Sequence, residues 1–175
     1  MRSDYDYMQL ALMQAKKAAE QGEIPIGAVL VHDGQVIAAA HNQREMLPDA
    51  TAHAEILVIR EGCAKLGRWR LSGCTLYVTV EPCSMCSGAI VNSRIDRVVY
   101  GCPDVKAGGV ESIFNILTNN SLNHQVEVLG GMCEEECAAV MKEFFRRRRQ
   151  ENKAAKKQQQ ELLTSASLQN LDNPV

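Results

Sequence analysis

Two short segments carry residue types that bind soft divalent metal ions and move protons: His53-Ala54-Glu55 and Pro82-Cys83-Ser84-Met85-Cys86. Cysteines at i and i+3 lie on one face of a helix, and at a helix N-terminus the macrodipole favours the thiolate over the thiol. Cys83 and Cys86 therefore offer two soft ligands. His53 brings the set to three, the count typical of a catalytic zinc site that keeps its fourth tetrahedral position for water, whereas a structural site would want a fourth protein ligand. Two thiolates already cancel the formal charge of zinc, so bound water is acidified less than at an all-histidine site. A nearby carboxylate, Glu55, is then needed to take the proton. On an ideal helix Glu55 lies roughly 200° around the axis from His53, so the two converge only if a first turn has looser geometry.

The same residues leave other readings open. A strand followed by Cys-x-x-Cys at a helix start also describes a thioredoxin-like redox site, although that leaves His53 and Glu55 unexplained. Cys83 and Cys86 could instead join Cys133 and Cys137 in a four-thiolate structural zinc site, which would make the chain a non-catalytic, zinc-stabilised nucleic-acid-binding module. Cys63, Cys74 and Cys102 read as small core hydrophobes.

The elements that must position these residues alternate between helix and strand. Residues 4–21 show helical apolar spacing, with Gly22 suited to the C-terminal cap. Residues 24–31 are a branched apolar run, Asp33-Gly34 is a hairpin turn signal, and residues 35–40 make a second strand. A loop over 41–50 leads into the helix carrying His53 and Glu55, with Thr51 as the expected N-cap and an end near Leu66-Gly67. Residues 74–80 have strong strand character, and Pro82 opens a helix over about 83–92. Further strands are expected at 97–101 and 125–129, and a helix from Cys133 onward. Interleaved strands and helices predict an α/β protein, a three-layer α/β/α sandwich around a central mixed sheet of about five strands whose first two are antiparallel. Spacing alone does not give the strand order.

At 175 residues the chain suits one domain with a substantial core. Its formal net charge of -2 exerts no strong overall pull on nucleic acid or membrane. The charge is unevenly placed, however. Residues 141–160 carry eight basic groups against two acidic ones, a local +6, which leaves 11 basic against 19 acidic elsewhere. Residues 1–157 are expected to form the domain, including this basic C-terminal helix, and 158–175 a polar extension, helical or disordered. The N-terminal residues lack a basic stretch followed by an apolar one, and no segment approaches 18 apolar residues, so a soluble, unexported protein with no membrane association is expected. Seven cysteines without framework spacing argue against a secreted disulfide scaffold.

His-x-Glu followed about 30 residues later by Pro-Cys-x-x-Cys resembles the signature of the zinc-dependent cytidine deaminase superfamily. Over residues 4–150 the chain is further similar to the bacterial tRNA-specific adenosine deaminases, through Pro25-Ile26-Gly27-Ala28, His41-Asn42, Thr51-Ala52-His53-Ala54-Glu55, Val80-Glu81-Pro82-Cys83-Ser84-Met85-Cys86, Ser93-Arg94-Ile95 and Phe144-Phe145-Arg146. Ala50 departs from the proline common in that family before the threonine. The resemblance implies a cytidine deaminase-like fold and one zinc ion per subunit held by His53, Cys83 and Cys86. It implies hydrolytic deamination of adenosine to inosine at the wobble position of a tRNA anticodon, with Glu55 as the proton shuttle for a zinc-activated water. It also implies a cytoplasmic homodimer that binds the tRNA anticodon stem-loop. Asn42 and Ala54 would meet the flipped nucleoside, while Asp104 and Lys106 match a substrate-loop motif. Phe144, Arg146, Arg148 and Arg149 sit in the dense basic cluster that phosphates would require. The zinc site alone does not choose the substrate, so a deaminase of free nucleobases or nucleosides is the nearest enzymatic alternative.

Overall fold

The computed structural model describes residues 2–169, with side chains to 164. Helix α1 (Asp4–Glu20) begins with a reciprocal capping box: the Ser3 hydroxyl accepts from the Asp6 N–H, and the Asp6 carboxylate accepts from the Ser3 N–H. Strands β1 (Gly27–His32) and β2 (Gln35–His41) form an antiparallel hairpin, turned at Asp33 and Gly34, both with positive φ. Helix α2 (Ala54–Leu66) ends at Gly67 in the left-handed conformation, φ 62°. Strand β3 (Cys74–Val80), helix α3 (Ser84–Ser93) and strand β4 (Arg97–Cys102) form a parallel crossover unit, after which β5 (Glu127–Leu129) and α4 (Glu134–Gln169) follow.

The sheet order is β2-β1-β3-β4-β5, antiparallel across β1/β2 and β1/β3 and parallel across β3/β4 and β4/β5. This is the expected mixed, five-stranded sheet. Alternation along the strands sends side chains to two cores. Ala28, Leu30, Leu76, Val78, Val98 and Tyr100 face α2 and α3. Val29, Val31, Tyr77 and Val99 face Tyr7, Met8, Ala11 and Leu12 of α1, together with Cys137 at the start of α4. Helices on both faces give the three layers.

The first strand begins three residues later than apolar content predicts. Pro25 has no N–H for a ladder, and Gly27 lies so close to α1 at Ala11 and Ala15 that no Cβ fits there. The Gly27 N–H donates to Thr79 Oγ1 at 3.1 Å.

The chain divides into two compact units, one ending at Met141 and one beginning at Lys142. The second holds the basic part of α4. Residue 158, where composition places the start of the polar extension, lies within α4, and residues 170–175 of that extension lie outside the described residues. Among the described residues no helix is long and apolar enough to cross a membrane.

Candidate metal centre and active site

Two helix N-termini converge at the ends of β2 and β3. His53 is the N-cap of α2 and Cys83 the N-cap of α3, each with an extended backbone and no side-chain capping bond. Their side chains are thereby left for something other than the helix. His53 Nδ1 lies 3.7 Å from Cys83 Sγ and 3.5 Å from Cys86 Sγ. Tetrahedral ligands of one zinc ion, with Zn–S near 2.3 Å and Zn–N near 2.0 Å, would stand roughly 3.5 Å apart. The three donor atoms fit such an ion, and all lie within 4.8 Å of one another. Among the described residues, this is the group of histidine, cysteine and acidic side chains so arranged.

The N-cap role of His53 corrects the expectation that Thr51 starts the helix. Thr51 instead turns the preceding loop, donating its N–H at 2.8 Å and its hydroxyl at 2.7 Å to Asp49 Oδ1. Because His53 precedes the helix, its 200° helical offset from Glu55 does not apply. Glu55 sits in the first turn, 3% exposed, and its Oε2 has no hydrogen-bond partner. A buried polar atom without a partner is costly and calls for an explanation. Burial pushes this carboxyl up to about 7. A hydrogen bond from the Cys86 thiol, reinforced by His53 against the effect of burial, pulls Cys83 down to about 4. His53 is raised in turn by its bond to Cys83. The first turn of α3 contains no acidic residue to oppose a thiolate.

The remaining sequence-designated residues divide between the two units. Ala54 is fully buried as the first residue of α2. Asn42, 3% exposed, follows β2 and donates through Nδ2 to Glu23 Oε2 at 3.0 Å. The Asp104 carboxylate is used within its own loop, accepting from the N–H groups of Lys106 and Ala107 at 3.0 and 3.1 Å. Lys106 is exposed beside it. Phe144, Arg146, Arg148 and Arg149 belong to the second unit. Phe144 is buried and edge-on to Phe145, and Arg148 lies 5.7 Å from its ring. Arg146 pairs with Glu143, whereas Arg148 and Arg149 have no acidic partner among the described residues.

Two buried carboxylates escaped the reading of single residues. Glu23, 1% exposed, holds Asn42 and accepts from the N–H groups of Glu45 and Met46 at 2.7 and 2.8 Å. Glu81, 2% exposed, accepts from the N–H groups of Asp104, Val110, Glu111 and Ser112 and from the Ser112 hydroxyl. Burial alone would raise the Glu81 carboxyl, but these donors outweigh it and bring it down to about 2. The available signal was position: each acid adjoins an apolar strand, Glu23 just before β1 and Glu81 just after β3.

The four-thiolate alternative fails on geometry. Cys133 and Cys137 belong with α1 on the opposite face of the sheet from α2 and α3. The redox alternative leaves no use for His53 and Glu55, which the fold brings against the cysteine pair.

Comparison with known proteins agrees with this arrangement. The family model for MafB19-like deaminases matches residues 2–149. The chain is 54% identical over 140 residues to the tRNA-specific adenosine deaminase of Bacillus subtilis strain 168, covering 80% of this chain and 87% of the relative. It is 52% identical over 121 residues to that of Aquifex aeolicus strain VF5, covering 69% and 80%. A solved structure from studies of A-to-I editing by tRNA:A34 deaminases superposes with a TM-score of 0.75 at 49% identity, covering 77% of this chain and 98% of the other. The converging helix N-termini, the His53, Cys83 and Cys86 donors and the buried Glu55 are thus those of a chain that belongs to the MafB19-like deaminase family, among the relatives of the bacterial tRNA-specific adenosine deaminases.

Proposed function

We propose that this chain is a zinc-dependent hydrolase that deaminates adenosine to inosine at the wobble position of a tRNA anticodon. The observation that carries the reading is the buried Glu55 carboxylate, whose Oε2 has no hydrogen-bond partner, beside two sulfur and one nitrogen donors. The relatives' tRNA-specific activity supplies the substrate. One zinc ion per subunit would be held by His53, Cys83 and Cys86. When bound, it would supply the Lewis acidity that makes water a nucleophile near neutral pH.

The protein's own groups do the rest. Glu55 takes a proton from the attacking water and delivers it to N1 of adenine, which makes C6 electrophilic. As the O–C6 bond forms and the C6–N bond breaks, Glu55 carries the water's second proton to the departing amine. The products are inosine and ammonia. A carboxyl held near 7 by burial suits both halves of this task, since it accepts and returns protons at similar cost. The N–H groups of the first turn of α2, starting at Ala54, lack intrahelical acceptors and can meet charge developing on the base. Asn42, fixed by Glu23, would hold the flipped nucleoside. Lys106 would meet phosphate, Asp104 shapes the loop that carries it, and Phe144, Arg146, Arg148 and Arg149 form the RNA-binding part of α4. A cytoplasmic homodimer follows from the same resemblance, and sedimentation of the purified protein tests the dimer.

The direct test is incubation with an adenosine-containing anticodon stem-loop, with inosine as the readout. Inosine should form, and replacing Arg148 and Arg149 with Gln should weaken stem-loop binding with a shallower salt dependence. A wild-type protein that deaminates free nucleosides and ignores the stem-loop would overturn the tRNA reading.

A further inference from the structure

Glu81 is absent from the donor set of the metal centre, yet it is among the most heavily engaged side chains in the protein. Oε1 accepts from the N–H groups of Val110, Glu111 and Ser112 at 3.1, 2.7 and 3.0 Å. Oε2 accepts from the Asp104 N–H at 3.0 Å and from the Ser112 hydroxyl. All five donors come from one irregular segment, residues 104–112, which contains Asp104 and Lys106. Glu81 itself stands at the end of β3, its own N–H donating to Cys102 O at 2.9 Å, two residues before Cys83.

The same segment is pressed onto the start of α3. The Gly109 N–H donates to Pro82 O at 2.7 Å, and Gly108 forms an isolated antiparallel bridge with Cys83. A Cβ at Gly108 would overlap the Glu81 carboxylate, and one at Gly109 would fall 2.7 Å from Ser87 Oγ and 2.8 Å from the Cys83 carbonyl. The two glycines are therefore what lets the segment approach this closely. The far side is tied as well, since Tyr100 Oη donates to Glu111 Oε2 at 2.9 Å.

We propose that Glu81 is a positioning residue that fastens the 104–112 segment to the strand-helix junction supplying Cys83, so that Lys106 and the loop turned by Asp104 meet the substrate in register with the metal centre. This rests on the proposed deaminase function for the substrate but not for the fastening. A carboxylate is suited to the role because it has only acceptors, and five converging donors saturate them. Glu81→Gln would keep one carbonyl for the Oε1 donors while presenting an NH2 group to the Asp104 N–H, which is donor against donor. Glu81→Ala would release every donor.

The test measures zinc content, amide hydrogen exchange and steady-state kinetics on the anticodon stem-loop for the wild type and both variants. Each variant should retain one zinc ion per chain. Exchange should quicken over residues 104–112 and stay unchanged in the interior of α3. KM should rise about tenfold in Glu81→Gln, the scale of one lost hydrogen bond to a charged group, with kcat within about twofold. Unchanged exchange over 104–112 would overturn the proposal, as would loss of zinc with a collapse of kcat at unchanged KM, which would assign Glu81 to holding the metal strand. Should Glu81→Ala fail to fold, Glu81→Gln decides alone. A wild type that makes no inosine would refute the substrate reading, and the exchange result would still decide whether Glu81 fastens the segment.

Discussion

Two cysteine pairs stand at helix N-termini in this protein, and among the described residues only one of them belongs to a group that could hold a metal ion. Cys83 and Cys86 open α3 on one face of the sheet; Cys133 and Cys137 open α4 on the other. Both spacings place the sulfurs on one side of a turn. The difference lies in what surrounds them. At α3 a second helix N-terminus brings His53 within 3.7 Å, and no acidic residue occupies the first turn. At α4 the first turn is Glu134, Glu135 and Glu136, which already complement the helix dipole and repel a thiolate. Cys133 meets Gln9, and Cys137 is buried over Gly101, its thiol pushed up to about 12 by burial. In the first pair the Cys86 thiol donates to Cys83 and pulls it toward the thiolate, as suits a metal-binding sulfur, whereas the second pair packs as small, weakly acidic groups.

The widest separation between the pairs should appear in metal content. Replacing Cys83 or Cys86 with Ala should abolish zinc binding and reduce inosine formation by more than the roughly 100-fold that loss of a metal ligand's supporting partner costs. The double variant Cys133→Ala, Cys137→Ala should keep one zinc ion per chain and activity within about twofold of wild type. Elemental analysis of the purified proteins checks both, and zinc lost from the double variant would erase the distinction.

A smaller effect probes the packing role of the second pair. Gly101→Ala would drive a methyl group into Cys137 and the Thr79 carbonyl, and should destabilise the protein by about 2 kcal/mol in urea unfolding. A neutral result would mean that this face is looser than its buried contacts imply.

The smallest effect concerns the ion pair that ties α1 to the same face. Asp4 accepts from Arg97 at 2.9 and 2.8 Å and from the Tyr77 hydroxyl at 2.7 Å. The Arg97 hydrogen bond lowers the Asp4 carboxyl below its ordinary 3.8 despite partial burial. Its stabilisation is therefore fully present above the unfolded value and fades as pH falls through the lower folded one. Asp4→Asn should cost about 1 kcal/mol at pH 7, and the gap from wild type should narrow below about pH 4. A gap independent of pH would assign the loss to packing.

The candidate metal centre was legible because the residue types that the fold brings together are written at short range: a histidine, a glutamate two residues on, and two cysteines three apart. The hairpin was equally plain in Asp33-Gly34. Long-range contacts hid the remainder. Thr51 has the chemistry of an N-cap, but Asp49 claims it, and His53 takes the position with its ring turned to the cysteines. The run at residues 24–31 has strand composition throughout, but Pro25 and the contact of Gly27 with α1 delay the ladder. Glu23 and Glu81 read as ordinary acids because their partners are backbone N–H groups of loops about 20 to 30 residues away, which no local pattern records. The acidic first turn of α4, by contrast, lay in plain sight in the sequence and already argued against Cys133 and Cys137 as ligands.

The central claim is that metal binding and proton transfer are separate duties at one site. Glu55→Ala separates them most directly, with zinc content and inosine formation on the anticodon stem-loop measured on the same preparation. The expected result is a folded protein with one zinc ion per chain and no detectable inosine. Inosine formation near the wild-type rate, with zinc retained, would contradict the account.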